Sequence, residues 1–162
     1  MASNTTFTSG AILTAAQMNN LPWGIVAATA GGTSGSGYVR NTTTAVAITA
    51  AGGDVTGMTI TWNALSTRIY KVTVTLNDIN TGAGFNPLLI EVTDAANTVK
   101  YQARRLFPAG DTDSMTVTYL ETGISGSTLR KVRAYGITNN GTFNTNGGAA
   151  NSTYVIEDIG AT

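Results

Sequence analysis

Cysteine and histidine are both absent from this chain of 162 residues. Without cysteine there is no disulfide framework and no thiolate metal site. Without histidine the chain lacks the commonest general base, the commonest metal ligand and every Ser-His or Cys-His nucleophile pair. We therefore expect no catalytic residues, no metal ligands and no cofactor.

Charge is also scarce. Charged residues make up 11% of the chain, with nine basic and nine acidic side chains and a formal net charge of zero, whereas about 25% is typical. Broad binding to nucleic acid or to an anionic membrane surface requires a basic excess that this composition lacks. No apolar stretch approaches the ~18 residues of a membrane span, and the first six residues lack the features of a signal peptide. We expect synthesis in the cytoplasm without an export signal.

Three residue types dominate the polar part of the composition, namely 29 threonines, 19 glycines and 14 asparagines. Threonine favours strands because its branched Cβ fits a pleated sheet, whereas glycine and asparagine supply the positive-φ positions of tight turns. Hydrophobic residues account for 42% of the chain, which is enough to form a core. This composition indicates short strands joined by tight turns, with uncharged polar outer faces.

The N-terminal arm, residues 1–22, differs from the rest of the chain. A capping-box pattern at Thr14–Gln17, followed by good helix formers, predicts a helix of about two turns. A helix this short is stable only when it docks on another surface, and the apolar residues Phe7, Ile12 and Leu13 precede it. Two interpretations stay open: the arm packs on its own domain, or it reaches a neighbouring subunit.

From Trp23 onward the hydrophobic period is two residues, as expected for strands. The alternation is clearest over residues 69–76, and further strands are predicted over 58–62, 115–119, 129–136 and 152–159. Segments 88–93 and 98–105 predict a hairpin across the turn Asp94–Asn97. We therefore predict an all-β domain over residues 23–162, an antiparallel β-sandwich or jelly roll of about 8–10 strands.

The segment 138–151 is rich in Gly, Asn, Thr and Ala around one aromatic residue, Phe143. It predicts a long loop, which is either a surface loop or a contact loop that orders against a subunit or a ligand.

Three short motifs resemble functional sites, and each has a simpler interpretation. Gly31–Gly37 lacks the Lys-Ser/Thr ending of a phosphate-binding loop, which favours a turn. Asp111–Ser114 offers two carboxylates but none of the further ligands of an EF-hand loop, which favours a hairpin turn. Glu157 and Asp158 are adjacent, so on a strand they point to opposite faces and do not form a facing acid pair.

Basic residues concentrate at Arg104–Arg105 and at Arg130–Arg133. They form a basic strip if the two strands are neighbours; the alternative is that their charges protect an edge strand from aggregation. Five tyrosines on predicted strands suggest either a sugar-binding platform or core and interface anchors, and the anchors are the commoner case. These are Tyr70, Tyr101, Tyr119, Tyr135 and Tyr154.

Short segments at both ends of the chain resemble those of a known group of proteins. Residues 7–19 have the sequence FTSGAILTAAQMN, residues 21–24, LPWG, precede a small-residue strand, and residues 155–160 have the sequence VIEDIG. The start resembles an opening common among tailed-bacteriophage virion proteins, and the ending is similar to a β-sandwich module of the same group. The match covers about twenty residues at the start and six at the end, and the middle agrees in strand rhythm and composition only.

The resemblance implies a minor tail, fibre or head-decoration component, and the short length favours a small accessory subunit on the particle surface. It implies that the arm attaches the protein to other virion proteins, such as the major capsid protein, and that the chain forms a homo-oligomer, by analogy a trimer. The residues expected to dock on a partner are Phe7, Ile12, Leu13, Met18 and Trp23.

Three hypotheses about function follow. The first is a structural virion subunit without chemistry of its own, which decorates or reinforces the capsid. The second is a receptor- or glycan-binding module of a tail appendage, which requires exposed aromatic residues beside Asn and Asp in a groove. The third, a hydrolase that uses carboxylates alone, requires two acids roughly 5–10 Å apart in a cleft, and it is the weakest of the three.

Overall fold

The computed structural model describes residues 24–25, 38–41, 46–48, 51–80, 86–107, 112–136, 141–143, 146–147 and 150–162. All regular elements in these ranges are strands. They are β1 (Gly24–Ile25), β2 (Tyr38–Asn41), β3 (Val46–Ile48), β4 (Gly53–Ala64), β5 (Arg68–Asn80), β6 (Asn86–Thr93), β7 (Val99–Phe107), β8 (Thr112–Glu121), β9 (Gly126–Gly136), β10 (Gly141–Phe143), β11 (Asn146–Gly147) and β12 (Ala150–Ala161).

The strands form two antiparallel sheets. Sheet 1 has the order β1-β12-β5-β10-β3; in addition, β2 and β11 pair with β12, and β8 pairs with β5. Sheet 2 has the order β4-β9-β6-β7. The prediction of an all-β antiparallel domain is confirmed for the described residues.

The hydrophobic period of two residues explains the core. On β5, Val72, Val74 and Leu76 are fully buried, whereas the intervening Thr73 and Thr75 lie on the outer face. Apolar residues of both sheets, including Met58 of sheet 2, join one buried cluster. Burying each such aliphatic side chain contributes about 1.5–3 kcal/mol, so alternation along these strands is the main source of stability.

One end of the core contains a buried ion pair. Arg68, at the start of β5, donates to both carboxylate oxygens of Asp158 on β12, at 2.7 and 2.6 Å. The Gly160 amide donates to the same carboxylate at 3.0 Å. The side chains of Arg68 and Asp158 are 2% and 0% exposed. Each charge is tolerated in the core because the opposite charge lies beside it.

The turn predictions are confirmed in one place and wrong in another. The hairpin β6–β7 forms across Asp94–Asn97, as predicted. The predicted loop 138–151, in contrast, contains two short strands, β10 and β11, because Phe143 lies opposite Val46 and Ile79 in the sheet and Asn146 opposite Asn151. Short strands of this kind also raise the strand count above the predicted 8–10.

The N-terminal arm, its predicted helix, the predicted turn at Gly31–Gly37 and all five predicted docking residues lie outside the described residues.

Candidate functional site

A cleft of about 410 Å³ lies where the β6–β7 turn meets the link between β8 and β9. Its lining combines hydroxyl groups, two small apolar patches and one residue of each charge. The lining residues are Asp94, Ala95, Ala96, Ile124, Ser125, Ser127, Thr128, Leu129 and Arg130. Ligand sites in proteins are concave and commonly have volumes of roughly 300–1,000 Å³, so this cleft is large enough for a small ligand.

Asp94 organises the turn on one side of the cleft. One of its carboxylate oxygens accepts from the amides of Ala96 and Thr98, both at 2.9 Å, and Lys100 pairs with the other at 3.0 Å. The hydrogen bond from Lys100, followed by that from Thr98, lowers the pKa of Asp94 from 3.8 to about 2. The carboxylate therefore holds the turn, and Asn97 completes it with a φ of 65°.

Arg130 and Glu121 form an ion pair beneath the cleft. The Arg130 Nε donates to Glu121 at 3.0 Å, a second guanidinium nitrogen also contacts Glu121, and Nη1 donates to the Leu129 carbonyl at 2.8 Å. The guanidinium lies 6.0 Å from the centroid of the Trp62 ring. Burial opposes the charge, but the hydrogen bond and charge of Glu121 outweigh it and raise the pKa of Arg130.

Two buried polar atoms border this ion pair. Neither the Trp62 Nε1 nor the Tyr154 hydroxyl has a hydrogen-bond partner among the described residues. Burial raises the pKa of Tyr154 well above its usual value, and it raises the pKa of Tyr119, whose hydroxyl donates to Glu121 at 3.5 Å. These phenols stay protonated across the physiological range.

Both carboxylates at the cleft are engaged in structural contacts. Asp94 holds its turn, and Glu121 is paired with Arg130. The Thr128 hydroxyl donates to the Gly126 carbonyl at 3.2 Å. The cleft therefore offers hydroxyl groups and compensated charges, which suits a neutral polar ligand.

A smaller cleft, of about 290 Å³, is lined in part by Thr112, Asp113 and Ser114 of the acidic motif singled out in the sequence, whose Asp111 lies outside the described residues. It lies where β5 bulges at Asn77 and Asp78, opposite the start of β8. Asp113 pairs there with Arg105 and accepts from the Ser114 amide at 2.7 Å. In the part of the chain that the structure describes, no group of three acidic, histidine or cysteine side chains is positioned to hold a metal ion.

The basic segments do not form a continuous strip. β6 lies between β9 and β7, so Arg130–Arg133 and Arg104–Arg105 are not on neighbouring strands. Arg130 points inward, and both Lys131 and Arg133 pair with Asp54, at 2.7 and 3.1 Å. β7, which carries Arg104 and Arg105, is an edge strand, as expected if these charges protect an edge from aggregation. β9 lies inside the sheet, so this interpretation does not apply to Arg130–Arg133.

The tyrosines act mainly as packing anchors. Tyr70 and Tyr154 are buried in the core, and Tyr101 stacks on Tyr119 with ring centroids 4.9 Å apart. Tyr135 lies on the outer face of sheet 2, where the Arg133 guanidinium is 5.2 Å from its ring centroid. Burial, followed by a hydrogen bond to Glu91, raises the pKa of Tyr135.

The outer face of sheet 1 carries rows of threonines that the sequence did not single out. Thr75 and Thr116 have hydroxyl oxygens 3.1 Å apart, and those of Thr73 and Thr118 are 3.3 Å apart. On the same face, Lys71 of β5 pairs with Glu157 of β12 at 2.8 Å beside the exposed Leu120. The threonines come together in space only through the strand register, which the sequence alone does not reveal.

Comparisons with known proteins do not assign a family. No family model matches the chain, and no curated protein matches it. Within the described ranges there is no helix with the length and hydropathy needed to cross a bilayer.

Proposed function

We propose that this protein is a non-enzymatic structural subunit of a tailed-bacteriophage virion, most simply a decoration or accessory protein on the capsid surface. The observation that carries the proposal is the strand order. Four strands of sheet 1 have the order β2-β12-β5-β8, and those of sheet 2 have the order β4-β9-β6-β7.

This order supports the jelly-roll form of the β-sandwich predicted from the sequence. Taken in chain order, these eight strands alternate between the two sheets, except for the hairpin β6–β7. That arrangement is expected when two Greek keys wrap into a double-sheet jelly roll, an architecture common in viral capsid proteins and lectins. Because one fold serves many functions, a structural role also has to be supported by the surface of the molecule.

The charge distribution favours assembly over catalysis. Among the described residues, the carboxylates of Asp54, Glu121 and Asp158 are each committed to a cation. The outer face of sheet 1 is rich in threonine, and burying such a face against another protein removes few charges from water. A stable interface buries about 800 Å² per partner, so a sparsely charged face lowers the desolvation cost.

The N-terminal arm is the proposed attachment segment. The apolar side chains expected to dock are too few to form a core of their own; they are Phe7, Ile12, Leu13, Met18 and Trp23. Burying one such side chain contributes ~1.5–3 kcal/mol, so Phe7, Ile12 and Leu13 together supply much of a docking energy. In this proposal the arm docks on another virion protein while the β-domain folds independently.

Deletion of residues 1–20 tests that division of roles. We expect the truncated protein to keep its β-rich circular dichroism spectrum and most of its melting temperature, but to lose attachment to particles. Unfolding of the truncated protein would mean instead that the arm belongs to the core of its own domain.

A host-surface glycan receptor is the second candidate function, and the cleft beside Asp94 and Arg130 is the observation that favours it. The groove of exposed aromatics that this role would use is not among the lining residues. A glycan array probed with the purified protein tests it: reproducible binding that is lost when Ser127→Trp fills the cleft supports this role, and a blank array contradicts it.

A further inference from the structure

The edges of the two sheets differ in how they are protected. An exposed strand edge pairs with other chains unless short length, a bulge or charge prevents it. Within the described ranges, β1 and β2 are only two and four residues long, and β4 is interrupted by a bulge between Asp54 and Thr59. β7 carries Lys100, Arg104 and Arg105 in nine residues. Each of these edges has a recognisable protection.

From Met115 to Leu120 the edge formed by β8 has none of these protections, whereas at its start Arg105 of β7 contacts Asp113 and Ser114. Between Asp113 and Glu121 its sequence contains no charge, no proline and no glycine, and it includes two threonines, a valine and a tyrosine. Its pairing with β5 is unbroken from Met115 to Glu121, so the strand is regular. A regular uncharged segment of this length has the composition of strands that pair with copies of themselves.

The backbone groups that point off this edge are identified by one hydrogen bond. The Arg105 Nη1, on β7, donates to the Ser114 carbonyl at 2.6 Å, so Ser114 directs its carbonyl away from β5. Alternate residues of a strand point their backbone groups to the same side. Thr116 and Thr118 therefore direct their amide and carbonyl groups off the edge, where the described residues supply no pairing strand.

We propose that the β8 edges of two copies of this chain pair antiparallel about Val117, which joins sheet 1 of both copies into one sheet. The inference rests on the proposed function of an assembling subunit and adds the surface through which it assembles. In this register Thr116 lies opposite Thr118 of the second copy, and each such pair exchanges two hydrogen bonds, about four in total.

The register is self-complementary in its side chains. The hydroxyl rows Thr75–Thr116 and Thr73–Thr118 continue into each other across the two-fold axis. At the ends of the segment, Asp113 faces Glu121 of the second copy; both are already paired with arginines of their own chains, which offsets their repulsion. A two-fold contact at this edge is compatible with the expected trimer. If the trimer forms through another surface, the two contacts together give a dihedral oligomer, which contains both two-fold and three-fold axes.

Cross-linking tests the register directly, because the native chain has no cysteine. At the two-fold axis the Cα atoms of the two Val117 residues would lie about 4.5 Å apart, within the range of a disulfide. We expect Val117→Cys to form a disulfide-linked dimer under mild oxidation. The matched control is Thr118→Cys, whose own copies would be diagonal neighbours at about 7–8 Å and should cross-link poorly. Equal cross-linking of both variants, or of neither, would overturn the proposal.

A second pair of variants covers the case in which Val117→Cys fails to fold. The edge variant carries two lysines on β8, Thr116→Lys and Thr118→Lys. The β5 variant carries two lysines at the paired positions of the neighbouring strand, Thr73→Lys and Thr75→Lys, so its charges lie on the same outer face but not at the edge. Light scattering at micromolar concentration should show that the edge variant loses the two-fold contact and the β5 variant keeps it. Equal loss in both variants would assign assembly to the outer face and contradict the edge pairing.

Three further outcomes test this inference, and the last two separate it from the proposed function. Cross-linking of Val117→Cys only after deletion of residues 1–22 would mean that the arm of the same chain occupies the edge, which overturns the pairing. A tagged protein that is found on particles although the edge variant assembles normally would leave the virion function intact and the edge inference wrong. A cross-linked dimer that is absent from particles would support the edge pairing and contradict the virion function.

Discussion

At the scale of single residues, the structure separates neighbouring side chains of the same chemical type into different roles. Glu157 and Asp158 are adjacent on β12 and point to opposite faces, as the sequence predicted from strand geometry. Glu157 meets Lys71 on the outer face, while Asp158 meets Arg68 inside the core. The sequence predicted the division of faces but not the buried partner, which comes from a strand ninety residues away along the chain.

This pair gives a matched test of burial. Asp158→Asn leaves the Arg68 guanidinium buried without a counter-charge, and we expect a loss of about 3–5 kcal/mol in the free energy of unfolding. Glu157→Gln removes an exposed pair, with side chains 41% and 33% exposed, and should cost about 0–1 kcal/mol. Urea denaturation of both variants measures the difference. If Asp158→Asn and Glu157→Gln lower the free energy of unfolding by similar amounts, the Arg68–Asp158 pair is not buried as described.

Asp94 gives a prediction about pH. Its pKa in the folded chain is about 2 against an ordinary value of 3.8, so the unfolded state binds more protons in this interval. The contribution of Asp94 is therefore complete above about pH 4 and is lost as the pH falls towards 2. Asp94→Asn should flatten the pH dependence of unfolding between pH 4 and 2, measured by denaturant titration at several pH values. An unchanged slope would contradict the role of this carboxylate in the turn.

At the scale of elements, alternation and turn residues predicted most of the long strands. The β6–β7 hairpin and the buried face of β5 followed from a period of two residues and from the Asp94–Asn97 turn. The short strands β10 and β11 could not be predicted, because a three-residue strand such as β10 depends on its partners in the sheet rather than on its own pattern. The same limit applies to the cleft, whose wall contains Arg130, a residue for which the sequence suggested either a basic strip or a charged edge strand.

The start of β4 supports a prediction about one turn. Gly52 has a φ of +70°, and a Cβ there would lie 1.9 Å from the Tyr135 ring. We expect Gly52→Ala to lose about 1–3 kcal/mol of stability, because the backbone is strained and the ring must move. Gly53→Ala is the control, since nothing lies within 4 Å of its added Cβ, and it should change stability by about 0.5 kcal/mol or less. Thermal melts of the two variants decide this point, and equal melting temperatures would contradict it.

At the scale of the whole molecule, composition and pattern predicted the fold class. Threonine-rich segments that alternate polar and apolar residues, separated by frequent turn residues, favour short strands over helices. The arrangement of strands in two sheets required the structure, since pairing partners such as β5 and β12 are far apart in sequence. The surface chemistry follows from that arrangement: threonine rows on sheet 1, a charged edge on β7 and an uncharged edge on β8. These are the surface features that the proposed assembly role would use.

The proposed place of the protein in a virion is tested most directly by locating it on particles. A copy tagged at its C-terminus should label purified particles at regular, symmetry-related positions when imaged by electron microscopy with a gold-conjugated probe. We expect labels on every intact particle, on the capsid surface. Particles without label, in preparations where the tagged protein is folded and abundant in the host lysate, would contradict the proposal.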